Sequence, residues 1–95
     1  MVRIIWSPEA VANLEEICKY IAKDSEHYAR LFAQKVWDLV ETIATFPLAG
    51  RMVPEYRRKE LGERIFHGYR IVYMVKPEAV EIVAIVHGAR LLPDI

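Results

Sequence analysis

Arg70, His87 and Arg90 are the side chains whose types and spacing could do chemistry. Arg70 is the one charge within Gly68-Tyr69-Arg70-Ile71-Val72-Tyr73-Met74-Val75, a run of β-branched, aromatic and apolar residues that reads as a strand. Period-two alternation sends Tyr69, Ile71, Tyr73 and Val75 to one face and Arg70, Val72 and Met74 to the other. A guanidinium among such neighbours must be solvated, paired or aimed at a ligand. A tight turn links this strand to the one ending at His87, so hairpin pairing sets His87-Gly88-Ala89-Arg90 beside the start of the Arg70 strand. With Arg64 on the neighbouring strand as a fourth cation, the cluster suits binding of a phosphate, or stabilisation of charge developing on a scissile one. The competing reading pairs Arg70 and Arg90 with Glu63, Glu81 or the C-terminal carboxylate.

Other chemistries find less support. The histidines His27, His67 and His87 lack a paired spacing and Cys18 stands alone, so no metal is expected. No glycine-rich phosphate loop or dinucleotide fingerprint is present, and no cofactor is expected. His67, in a turn, reads as solvated. Trp6, Phe32, Trp37, Phe46, Phe66 and Cys18 read as core.

The elements that must position these residues follow from the order of the chain. Val2 to Trp6 is a short strand. Ser7-Pro8-Glu9 starts a helix, with a serine cap, a proline in the first turn and an acid complementing the dipole. Val11, Leu14, Ile17, Cys18 and Ile21 carry it to Lys23 at helical spacing. Asp24-Ser25 breaks it, and Tyr28, Phe32, Val36, Leu39, Val40, Ile43 and Phe46 mark a longer second helix ended by Pro47. Residues 48–58 read as an ordered loop, and Glu60 to Phe66 as a strand. After the Arg70 strand, Lys76-Pro77-Glu78-Ala79 turns into Val80 to Val86, apolar on both faces except Glu81, as suits an interior strand. The order β-α-α-β-β-β predicts an α+β fold: a helical hairpin on one face of a mainly antiparallel four-stranded sheet, as a single domain over 1–95. The other sheet face, with Arg70, would then be open to a partner.

Composition agrees with an ordinary soluble domain: 95 residues, 54% hydrophobic, 27% charged and a formal net charge of zero. No run approaches a membrane span, and the start is too short in apolar residues for a signal peptide. A single cysteine fits a reducing cytoplasm, where the chain is expected to act. Charge is uneven, however. Residues 50–76 hold seven Lys/Arg against three Asp/Glu, while 1–49 hold five against seven and 77–95 hold one against three. A basic middle between acidic flanks could face an anionic surface.

Trp6-Ser7-Pro8-Glu9-Ala10, Leu14 through Tyr20-Ile21, Phe46-Pro47…Gly50-Arg51…Val53-Pro54-Glu55, Tyr69-Arg70-Ile71-Val72-Tyr73 and Val86-His87-Gly88-Ala89-Arg90 together resemble the RelE/ParE toxins of type II toxin–antitoxin pairs. The match runs nearly the whole length and keeps the order of the elements. The resemblance implies a growth-inhibiting toxin neutralised by a cognate antitoxin that wraps the helical hairpin and a sheet edge, forming a hetero-oligomer. RelE-like members cut messenger RNA on the ribosome with basic residues, one equivalent to Arg70, and a proton-transfer group near the C-terminus. ParE-like members poison DNA gyrase without established hydrolytic chemistry.

Two departures weaken the RelE side. Leu61-Gly62-Glu63-Arg64 stands where that branch carries lysines, and the chain ends at Ile95 before that branch's catalytic tyrosine would fall. His87 could substitute as acid or base. Gly50-Arg51 with Val53-Pro54-Glu55 and the His87-Gly88-Ala89-Arg90 ending resemble the ParE side, although Leu91 stands where an acid often follows that arginine. Inhibition of DNA gyrase is therefore expected, with Arg64, Arg70 and Arg90 as target contacts. The alternative is a ribosome-dependent mRNA endoribonuclease with Arg70, His87 and Arg90 as catalytic residues. A third reading is an inactive member that still binds an antitoxin.

Overall fold

The computed structural model describes residues 2–88. The chain runs β1 (Arg3–Trp6), α1 (Pro8–Ala22), α2 (Glu26–Thr45), β2 (Arg51–Met52), β3 (Leu61–Phe66), β4 (Tyr69–Val75) and β5 (Ala79–His87). The strands form one sheet in the order β1-β5-β4-β3-β2. β1 runs parallel to β5, and every other neighbouring pair is antiparallel. The expected α+β class and helical hairpin hold, but among the described residues the sheet has five strands, not four. The fifth, β2, is two residues long and pairs Arg51 with Glu63 and Met52 with Gly62, too short to show an alternation in the sequence.

Local chemistry sets the helix bounds. The Ser7 hydroxyl accepts the Ala10 amide at 3.0 Å, with Pro8 opening the helix behind it. Ser25 repeats the cap on α2, accepting from the Tyr28 amide at 3.1 Å. Phe46 closes α2, its amide returning to the Thr42 carbonyl just before Pro47.

The hairpin lies on one sheet face, where Val36, Val40 and Ile43 of α2 and Ala10 of α1 bury against Ile71, Tyr73, Val80, Ile82 and Ile85. The opposite face is not open, contrary to expectation. Val53, fully buried, and Tyr56 from the β2–β3 connection pack there on Leu61, Val72, Val83, Ala84 and Val86. A strap of chain thus does on that face what the helices do on the other. Trp37 and Phe46, expected in the core, are 45% and 61% exposed: Trp37 lies with its ring against Trp6 of β1, centroids 5.0 Å apart, and Phe46 caps the end of α2.

β5 carries one irregularity that decides where its end points. Tyr73 pairs with Ile82 and Val72 with Ala84, leaving Val83 without a partner on β4. Backbone groups of β5 around the bulge are met from α1 and its cap. Ser7 donates from its amide to the Ile82 carbonyl and from its hydroxyl to the Val83 carbonyl, and the Ile85 amide donates to the Asn13 side chain at 3.0 Å.

Candidate functional site

Arg70 projects from β4 toward the strap, as its alternation requires, and is only 5% exposed. Its guanidinium is occupied. Nη1 and Nη2 donate to the two oxygens of Glu55 at 2.6 and 2.7 Å, and Nε and Nη2 donate to one oxygen of Glu63 at 2.8 and 2.6 Å. The second Glu63 oxygen accepts from Nε of Arg51. Such forked, charge-assisted bonds are the strongest an arginine forms. The Glu55 carboxylate, against the opposing effect of burial and with help from Glu63, holds the Arg70 guanidinium charged even more firmly than usual. Of the partners weighed from sequence, Glu63 is realised. Glu55, from the strap, was not foreseen, since only the folded connection brings it across the sheet. Glu81 instead pairs with Lys76 at 2.7 Å.

The expected convergence on Arg70 does not form among the described residues. His87 pairs across from Tyr69, and Arg70 pairs with Val86. Had the register of Val75 and Val80 continued unbroken, His87 would have fallen on the Arg70 face; the bulge at Val83 transfers it to the helix face. There its ring meets Tyr69 edge-on, with centroids 5.7 Å apart. Arg64 pairs with Ile71 and so also lies on the helix side of the sheet, opposite to Arg70. Arg90 lies outside the described residues. The sheet therefore separates Arg70 from both His87 and Arg64.

What the helix face offers instead is a pair of clefts that share Tyr69. One, of about 390 Å³, is lined by Ile21, Tyr28, Leu31, Phe32, Phe66 and Tyr69, with Lys35 and His67 among them. The other, of about 760 Å³, opens where α1 leaves the C-terminal end of β5, between Ile17 and Tyr20 on one side and Ile85 and His87 on the other. Phe32 packs against both Phe66 and Tyr69 with centroids 5.5 Å apart, so the wall between the clefts is aromatic. Tyr28, which the sequence sets in the apolar stripe with Phe32, and Leu31, outside that stripe, are both exposed. Among the described residues no group of three His, Cys, Asp or Glu could hold a metal ion.

Gly50, within a motif quoted above, and Gly62, from the stretch that departs from the RelE pattern, serve Tyr73. A Cβ on Gly62 would lie 2.6 Å from the Tyr73 ring, and one on Gly50 would meet its hydroxyl. The ring slots between them and donates to the Pro47 carbonyl at 3.0 Å. That part of the motif fastens the end of α2 to the sheet, and its role is packing.

The fold and sequence have known counterparts. Residues 4–92 match the profile of the ParE toxin of type II toxin-antitoxin system, parDE. "Toxin RelE2" of Caulobacter vibrioides is 31% identical over 96% of this chain and all of its own length. "Putative toxin Y4kP" of Sinorhizobium fredii is 30% identical over 98% of this chain and 95% of its own. Among solved structures, the chromosomal ParDE TA system from P. aeruginosa superposes with a TM-score of 0.73 at 20% identity, covering 92% of this chain and 96% of that one. On the profile and the two full-length relatives, the chain belongs to the ParE toxin family of type II toxin–antitoxin systems.

Proposed function

We propose that this protein arrests growth by binding and inhibiting DNA gyrase, as a ParE-like toxin rather than a nuclease, and that a cognate antitoxin holds it inactive. The observation that carries the choice is the state of Arg70. A phosphate-gripping arginine needs free donors, whereas this one gives four bonds to two carboxylates and is nearly buried. His87 sits on the other side of the sheet, out of reach of any group Arg70 could hold. The cytoplasm is the matching compartment, and no helix among the described residues is long and apolar enough to cross a membrane. The antitoxin's place is along the hairpin and the C-terminal end of β5, in the two clefts beside Tyr69, where exposed Tyr20, Tyr28 and Leu31 offer apolar anchors.

The test is supercoiling by purified gyrase with antitoxin-free protein added at rising concentration. Inhibition with trapped cleaved DNA is expected, and a folded His87→Ala variant is expected to inhibit as well as the wild type. If folded protein leaves gyrase untouched while messenger RNA is cut on ribosomes, the ribonuclease reading replaces this one. Arg64, His87 and Arg90 are then the residues to mutate.

A further inference from the structure

We propose a separate docking surface at the β2 edge, which takes an extended, acidic and apolar segment of a partner protein. It lies past the C-terminal end of α2, away from the clefts beside Tyr69, and shares no lining residue with them. Three large apolar side chains stand out of the protein within a short span: Phe46 is 61%, Leu48 84% and Met52 51% exposed. Leu48 and Met52 line a cleft of about 360 Å³ together with Leu61, Tyr73 and Val75, and Phe46 precedes its first lining residue, Pro47. Single exposed apolar residues need no explanation, but a contiguous group around a cavity marks a contact site.

The cleft is preformed. Tyr73 is wedged by Gly50 and Gly62 and tied to the Pro47 carbonyl, so its floor does not depend on a ligand to take shape. Its rim is cationic, which selects the occupant. Lys59 lines it and makes no ion pair among the described residues. Arg51 also lines it, and although its Nε meets Glu63, its side chain is 63% exposed. A segment bearing Leu- or Phe-like anchors beside Asp or Glu satisfies both features. β2 adds a backbone element: among the described residues it pairs with β3 on one side only, so an incoming strand can add to its outer edge. A nucleic acid backbone would use the cations but leave the apolar group in water, so a protein segment fits better.

This proposal rests on the reading that the toxin acts by binding, and makes this edge its contact with the target. The experiment measures affinity for immobilised gyrase, inhibition of supercoiling and growth arrest for the wild type, Leu48→Asp, Lys59→Glu and, as a charge-matched control, Arg30→Glu. Circular dichroism and thermal melts verify folding; Leu48 and Lys59 are surface positions whose replacement leaves the core intact. Leu48→Asp is expected to weaken gyrase binding by about tenfold or more, as for an anchor at an interface centre. Lys59→Glu should weaken it by a smaller factor that shrinks as salt rises, and Arg30→Glu should match the wild type.

If the wild type inhibits gyrase and both patch variants do so equally, the docking surface is refuted and the gyrase reading survives. An effect of Leu48→Asp with none from Lys59→Glu refutes the acidic character of the partner. If the wild type does not touch gyrase, the gyrase reading fails and growth arrest judges the surface. Loss of arrest in both variants upholds it with another target, and retention in both refutes it. A dimer in sedimentation that Leu48→Asp dissolves would show a second copy as the occupant and overturn the proposal.

Discussion

The two faces of the sheet are closed by different means. On the helix side, two amphipathic helices lay an apolar stripe on Ile71, Tyr73, Val80, Ile82 and Ile85, and no charged side chain among the described residues is buried. On the strap side, a smaller apolar cluster is covered by the β2–β3 connection, and the two buried charged residues among those described, Glu63 and Arg70, lie there. Apolar burial is non-directional and spreads over many contacts. The strap, without regular structure of its own, relies on directional bonds that Arg70 donates to Glu55 and that the Tyr56 and Arg57 amides donate to the Val53 carbonyl. A face held by few directional bonds should fail at single positions; a face held by packing should yield gradually. The arginine that looks most chemical in the sequence thus joins loop to sheet.

Arg70→Ala tests this most severely. It leaves Glu63, 1% exposed, with a buried charge and removes both bonds to Glu55. Breaking a buried pair this way costs about 3–5 kcal/mol. Urea unfolding should show that loss, and the strap should become the first site of proteolysis. Arg70→Met restores apolar volume but leaves the buried Glu63 with Arg51, which is largely exposed, in place of Arg70, so it should recover little. A loss within about 0.5 kcal/mol, the range of ordinary surface changes, would mean that the network does not hold the strap.

The helix face has one point of comparable sensitivity, and it is steric. Gly62→Ala would drive a Cβ to 2.6 Å from the ring of Tyr73, which is itself fixed between helix end and sheet. Overpacking of this kind costs about 1–3 kcal/mol. Combining it with Tyr73→Leu should give less than the summed losses, since the two residues share one space. Strict additivity would show that Gly62 is needed for another reason.

How much of this was legible in the sequence depends on the kind of signal. Alternation along Tyr69–Val75 placed every residue of β4 on its true face, and Ser7, Ser25 and Pro47 marked the helix ends, because those signals are local. The bulge at Val83 was not legible, since Val80–Val86 is apolar on both sides and nothing in it distinguishes one extra residue. Its supports, Ser7 and Asn13, lie more than seventy positions away. That single irregularity is why His87 and Arg70 looked like neighbours and are not. The strap escaped for a related reason: a loop with Pro54 and scattered charges shows no periodicity, so its buried Val53 and its Glu55 gave no sign of their destination.

Tyr73→Phe separates the hydrogen bond from the packing at the same point. It removes the donor to the Pro47 carbonyl but keeps the ring, for a loss of about 1 kcal/mol. It also carries a pH signature. Burial, the largest influence, raises the Tyr73 phenol above its ordinary value of 10.0, so the folded state holds this proton more tightly than the unfolded chain. Stability from this group is complete below about pH 10 and is lost as pH climbs through the raised folded value. Thermal melts of the wild type should therefore decline more steeply above pH 10 than those of Tyr73→Phe. Parallel declines would place the sensitivity elsewhere.

Arg51→Ala should have the smallest effect, and it sharpens the contrast within the ion network itself. Both arginines bond the same Glu63, yet the Arg51 side chain is 63% exposed and that of Arg70 only 6%. Solvent screens the outer contact, and water can replace the lost donor at the rim, so the loss should stay below about 1 kcal/mol. If Arg51→Ala instead approached Arg70→Ala, the network would act as one unit whose outer arginine matters as much as the inner. A double-mutant cycle decides between these outcomes. A small single loss for Arg51 with weak coupling to Arg70 means that Glu55 and Glu63 suffice to hold the inner guanidinium. Strong coupling would mean that Arg51 orients Glu63 for it, which would make the edge strand part of the lock on the strap.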